Sequence, residues 1–108
     1  MKAWAVRHGV KAFIFSSTAA VYGDPGIPIV DESVPTAPQS PYGTSKRMTE
    51  LMLIDSGAAY GLPYAALRYF NVAGADPQAR SGQSTAGATH LIKVAVEAAT
   101  GQRESVSV

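Results

Sequence analysis

Tyr42 and Lys46 are the pair in this 108-residue chain whose types and spacing could do chemistry together. Residues four apart on a helix lie on one face, so the two side chains must project side by side. A free phenol titrates near pH ~10, so service as a base at neutral pH needs a shift of about three units, or about 4 kcal/mol. One ammonium about 4 Å away, at an effective dielectric near ~20, supplies about 4 kcal/mol. A single well-placed lysine is therefore about sufficient to make a tyrosine a proton acceptor. Y-x-x-x-K alone is common on solvated helix faces, so the elements that carry the pair have to decide its meaning.

The helix under the pair is marked at both ends. Ser40 is a good N-cap, Pro41 suits the first helical position, and Gly61 followed by Pro63 stops the run near Tyr60. Met48, Leu51, Met52 and Ala59 mark its apolar side, with Met48 and Met52 read as packing residues. Upstream, Ala12-Phe13-Ile14-Phe15 is an uninterrupted apolar run that suits a strand covered on both faces. Ser16-Ser17-Thr18 follows at its carboxyl end, where open α/β sheets place their ligands.

Residues 24–41 contain five prolines and form a loop. Asp31 and Glu32 within it read as solvated carboxylates without chemistry. Tyr64 to Phe70 predicts a second buried strand, with Asn71-Val72-Ala73-Gly74-Ala75 on the ligand side of the sheet. Residues 76–86 turn to Gly, Ser, Gln and Pro and predict a loop. The spacing of Leu91, Ile92, Ala95, Ala98 and Ala99 predicts an amphipathic helix over Thr89 to Thr100. Residues 2 to 8 read as the last turns of a helix stopped by Gly9, and residues 105–108 alternate like the opening of a strand. Strands alternating with helices predict a parallel α/β sheet with right-handed crossovers.

Composition narrows the function classes. A net charge of +1 offers no electrostatic reason to expect nucleic acid or an anionic membrane as partner. The absence of cysteine excludes disulfides and thiolate metal sites, and no metal site is expected. No apolar run approaches membrane-spanning length and the first residues lack a signal-peptide core, so a cytoplasmic location is the default expectation.

Three blocks in fixed order sharpen the reading: Ser16-Ser17-Thr18-Ala19-Ala20-Val21-Tyr22-Gly23, Pro38-Gln39-Ser40-Pro41-Tyr42-Gly43, and Leu67-Arg68-Tyr69-Phe70-Asn71. With Lys46, they make the whole chain resemble the extended short-chain dehydrogenase/reductase superfamily. Within it, the chain resembles the NAD-dependent 4-epimerases of UDP-glucose and UDP-galactose. The resemblance implies part of a Rossmann-like doubly wound parallel sheet, a single partial domain over residues 1–108. No Gly-x-Gly-x-x-Gly occurs, so the N-terminal nucleotide-binding half is expected to lie outside these residues, and the resemblance implies the same of most of the C-terminal substrate domain.

The resemblance also implies roles. Tyr42 would take the proton of the sugar C4 hydroxyl while hydride passes to NAD. Lys46 would bond the nicotinamide ribose, and the hydroxyl of Thr18 would bridge sugar and tyrosine. Phe70 would line the nicotinamide site, and Asn71, His90 and Leu91 would contact the UDP-sugar. The tyrosine-bearing helix would help form a homodimer in a full-length enzyme. Sugar-nucleotide 4,6-dehydratases carry Thr-Asp-Glu where this chain has Thr18-Ala19-Ala20. Water elimination needs an extra acid and base that two alanines cannot supply, so dehydration is disfavoured.

Overall fold

The computed structural model describes residues 2–87 and 89–106, and of Lys2, Ala3 and Val6 the backbone alone. The chain forms two compact units, Met1–Phe70 and Asn71–Val108. The first holds helix α1 (Lys2–Arg7), strand β1 (Phe13–Ser16), a 3-10 turn (Ala19–Val21), helix α2 (Pro41–Tyr60) and strand β2 (Tyr64–Leu67). The second holds helix α3 (Leu91–Ala99) and the loop before it.

β1 and β2 pair in parallel, Phe13 opposite Tyr64 through Ser16 opposite Leu67. Parallel neighbours need a crossover, and α2 with its flanking loops supplies it. The ladder runs on past β1, with Ser17 N–H donating to Leu67 O at 2.9 Å and Ala19 N–H to Tyr69 O at 2.7 Å. β2 ends at Leu67 rather than at Phe70 as the sequence predicts. Tyr69 N–H turns back to Leu67 O, which takes the chain out of the extended register.

α2 begins and ends where its caps dictate. Ser40 Oγ accepts from Gly43 N–H at 3.1 Å, Pro41 is the first helical residue, and Gly61 closes the helix at a φ of 63°. That left-handed φ is open to glycine and strained for a residue with a Cβ. The packed face of α2 is a correction to the sequence reading. Met48, Leu51, Met52 and Ala59 are all exposed, and the buried residues are Gly43, Glu50, Leu53 and Ser56. The inward face carries small and polar groups because it seats against backbone and holds an ionic cluster.

The two strands are also less covered than apolar runs suggest. Ile14 is 69% exposed, Leu67 and Phe70 are exposed, and Phe13 is half-buried. A two-stranded sheet with α2 packed on it leaves one face without a layer. The core of the first unit is small: Ala5, Val21, Tyr22, Leu53 and Leu62. In the second unit Val94 is the buried apolar residue among those described. Ser105 and Val106 form no strand, and Ser107 and Val108 lie outside the described residues.

Candidate active site

Two elements meet where β1 ends. The 3-10 turn begins with Thr18 as its N-cap, in extended backbone at φ −159° and ψ 149°. Thr18 Oγ1 accepts from Ala20 N–H at 3.2 Å, a bond that leaves the hydroxyl proton free to be donated. The start of α2 lies directly against this turn. A Cβ on Gly43 would stand 2.6 Å from Ala20 O and 3.1 Å from the Pro38 Cβ, distances no side chain could accept without movement. The residue after Tyr42 is therefore glycine because the helix touches the turn backbone to backbone.

Lys46 occupies the next turn of α2. Its ammonium donates to Ser16 O at 3.0 Å, two residues before Thr18. The same nitrogen lies 5.2 Å from the centroid of the Phe15 ring and 5.6 Å from that of Tyr42, within range of attraction to both ring faces. One of its three protons is used on Ser16, so the remaining two can meet an incoming polar group. Tyr42 is 56% exposed and open to such a group. The two side chains stand side by side on α2, with the cation beside the Tyr42 ring and anchored to the strand.

Phe70 is 76% exposed and lines a different cleft of ≈530 Å³ with Tyr22, Asp31, Glu32 and Arg68. Tyr42, Lys46 and Thr18 are not among the residues of that cleft. Asn71, His90 and Leu91 belong to the second unit and are exposed. There His90 is the N-cap of α3, its Nδ1 lies 3.2 Å from Gln83 Nε2, and Leu91 is the first helical residue.

A group that the spacing arguments passed over sits one turn beyond Lys46. Glu50 is 2% exposed, and its carboxylate is the centre of an ionic cluster. Oε1 accepts from Ser17 Oγ at 2.6 Å and from Arg68 Nε at 3.0 Å. Oε2 accepts from Arg68 Nη2 at 2.8 Å and from Arg47 Nη1 at 3.4 Å. Burial pushes the carboxyl pKa up. Hydrogen bonds from Arg68 and Ser17, with the charges of Arg68 and Arg47, pull harder and hold it below the usual carboxylate range. Arg68 is raised in turn, chiefly by its bonds to Glu50. It also donates to Tyr22 OH at 2.8 Å, with its guanidinium 4.8 Å above that ring. The signal was present in the sequence: a glutamate four residues after Lys46 and an arginine inside an otherwise apolar strand run.

Comparison with known proteins adds to this geometry. The profile of the NAD dependent epimerase/dehydratase family matches residues 1–107. A UDP-glucose 4-epimerase of Azospirillum brasilense is 56% identical over 103 residues, 95% of this chain and 30% of its own length. One of Halalkalibacterium halodurans is 48% identical over 95% of this chain and 31% of its own. The crystal structure of UDP-glucose 4-epimerase from Brucella ovis in complex with NAD superposes at a TM-score of 0.80 with 39% identity. That match covers 99% of this chain and 33% of the Brucella chain. The chain thus spans about a third of the length of the relatives it matches. The Rossmann-like architecture implied by its parallel strands and crossover helix is that of these enzymes, and the chain belongs to the NAD dependent epimerase/dehydratase family.

Proposed function

We propose that these residues form the catalytic segment of an NAD-dependent 4-epimerase that interconverts UDP-glucose and UDP-galactose. The observation that carries this reading is the placement of Lys46: bonded to Ser16 O at the end of β1 and 5.6 Å from the Tyr42 ring. Names and ligands of the relatives support it, since the similar curated proteins are UDP-glucose 4-epimerases and the Brucella structure holds NAD.

The residues fit a bound dinucleotide at its nicotinamide end. Lys46 has two donors left for a ribose diol, and Tyr42 stands exposed beside it. When bound, NAD supplies the hydride acceptor and donor. Tyr42 accepts the proton of the C4 hydroxyl as hydride leaves C4, giving a 4-keto sugar. Lys46 lowers the energy of the phenolate by its charge, and Thr18 donates its hydroxyl proton to bridge sugar and tyrosine. Tyr42 gives the proton back to the C4 oxygen when hydride returns to the other face of the keto sugar, and that change of face inverts C4. Phe70 is assigned to the nicotinamide side and Asn71, His90 and Leu91 to the UDP-sugar. Ala19 and Ala20 offer no second acid or base, which favours epimerisation over water elimination.

The test is Tyr42→Phe in an enzyme of the relatives' full length that carries these residues. Turnover of UDP-galactose should fall by about 10²-fold or more while bound NAD stays at the wild-type level. Turnover close to wild type in the NAD-loaded variant would overturn the assignment.

A second reading treats the segment as a packing or homodimerisation module. The exposed apolar side of α2, with Met48, Leu51 and Met52, favours it. So does the ≈1010 Å³ apolar groove beside it, lined by Trp4, Val10 and Tyr60. Turnover of UDP-galactose by the full-length protein, measured beside its sedimentation, separates the two readings, since a packing module would associate without turnover.

A further inference from the structure

We infer that Glu50 is a positioning residue for proton transfer, through a clamp that grips the Thr18 turn at both ends and references it to α2. The inference rests on the catalytic reading above and deepens it. The turn runs from Ser17, just before Thr18, to Tyr22, its C-cap. At the front, Ser17 Oγ donates to Glu50 Oε1 at 2.6 Å. At the back, Tyr22 OH accepts from Arg68 Nη1 at 2.8 Å. Arg68 joins the two ends, because its Nε and Nη2 donate to the two oxygens of Glu50 in a fork. A bidentate pair fixes orientation as well as distance, which a single charge contact does not.

The clamp belongs to the same helix as the proton acceptor. Tyr42, Lys46 and Glu50 follow at intervals of four residues, so a displacement of the turn relative to Glu50 is also a displacement of Thr18 relative to Tyr42. Ser17, 4% exposed, is held by its backbone as well, through its N–H bond to Leu67 O. Thr18 is the next residue along. One lone pair of its hydroxyl is held by Ala20 N–H, so its direction of donation depends on how the turn is set. Glu50 itself is enclosed and would not touch a sugar or a dinucleotide. It acts through Ser17 and Arg68.

Ser17→Ala isolates this role, because it removes one hydroxyl and changes no charge. In the full-length holoenzyme, kcat per bound NAD should fall about tenfold, with KM for UDP-galactose and NAD content within about twofold of wild type. The acidic limb of the pH–rate profile should stay where it is. Glu50→Gln should lower kcat as well, and Ser17→Ala/Glu50→Gln should be no slower than the slower single variant, since each disrupts the same clamp. Should Glu50→Gln fail to fold, Tyr22→Phe replaces it in the cycle, removing the other end of the clamp without touching the buried charge. A Ser17→Ala enzyme with kcat within twofold of wild type, or single losses that multiply in the double variant, would overturn the inference. A merely structural role would lower NAD content and melting temperature and leave kcat per bound NAD unchanged. Wild-type enzyme without turnover of UDP-galactose would instead overturn the catalytic reading on which the inference stands.

Discussion

Lys46 and Ser16 are joined across thirty positions of sequence by a 3.0 Å bond from the ammonium to a strand carbonyl. The donors of Phe13 and Ser17 point to β2, so alternation turns the carbonyl of Ser16 toward the opposite edge of β1. The lysine caps that edge. It is thereby held beside Tyr42 by the sheet and not merely by its own helix.

Lys46→Met keeps the stem and removes the charge and the donors. Turnover is expected to drop about tenfold or more. Turnover within about twofold of wild type would contradict the role.

Gly43→Ala places a methyl 2.6 Å from Ala20 O. Relief requires the 3-10 turn and the start of α2 to part, at a cost of about 1–3 kcal/mol. Both melting temperature and turnover should fall, although neither residue changed nor residue struck is catalytic. An unchanged melting temperature would show that the seat is looser than drawn.

Glu50 confers an acid dependence whose sign is fixed by its neighbours. Its folded pKa lies below the usual value of 4.5, so the cluster's contribution is present above that value and is lost as pH falls through the folded one. Glu50→Gln should destabilise by about 3 kcal/mol at neutral pH, because it leaves Arg68 without its carboxylate. The gap in melting temperature between wild type and variant should narrow as pH falls below the usual carboxylate value of 4.5. A gap that stays constant as the solution is acidified would mean that the carboxylate charge contributes nothing.

The 108-residue chain taken by itself should show no epimerase turnover and bind NAD more weakly than about 1 mM. Cofactor affinity in this fold depends largely on backbone N–H groups that cradle the pyrophosphate at a glycine-rich helix start. No such glycine pattern occurs in these residues. Calorimetry with NAD checks it, and a dissociation constant in the low micromolar range would contradict it.

What was legible in the sequence was what local chemistry governs. Ser40, Pro41 and Gly61 mark α2 at the residues where it starts and stops, because caps and φ preferences act within one turn. The Tyr42–Lys46 pairing was legible for the same reason. The packed face of α2 was not, because hydrophobic patterning assumes that the inward side is the apolar one. Here the inward side carries Glu50, whose partner Arg68 lies eighteen residues away and reaches it only in the folded chain. The short second strand was misjudged by the same token, since the return of Tyr69 to Leu67 is a turn without glycine or proline to announce it.

The contact at Gly43 has a consequence for how the site could be tuned. Side-chain packing can be adjusted in small steps, by trading one methyl for another and letting neighbours shift. Backbone against backbone offers no such dial, because the closest approach is set by peptide geometry that every sequence shares. The separation between the threonine turn and the tyrosine helix is therefore closer to a fixed gauge than to a fitted part. Substitutions elsewhere in the chain can loosen this seat but cannot bring its two sides nearer.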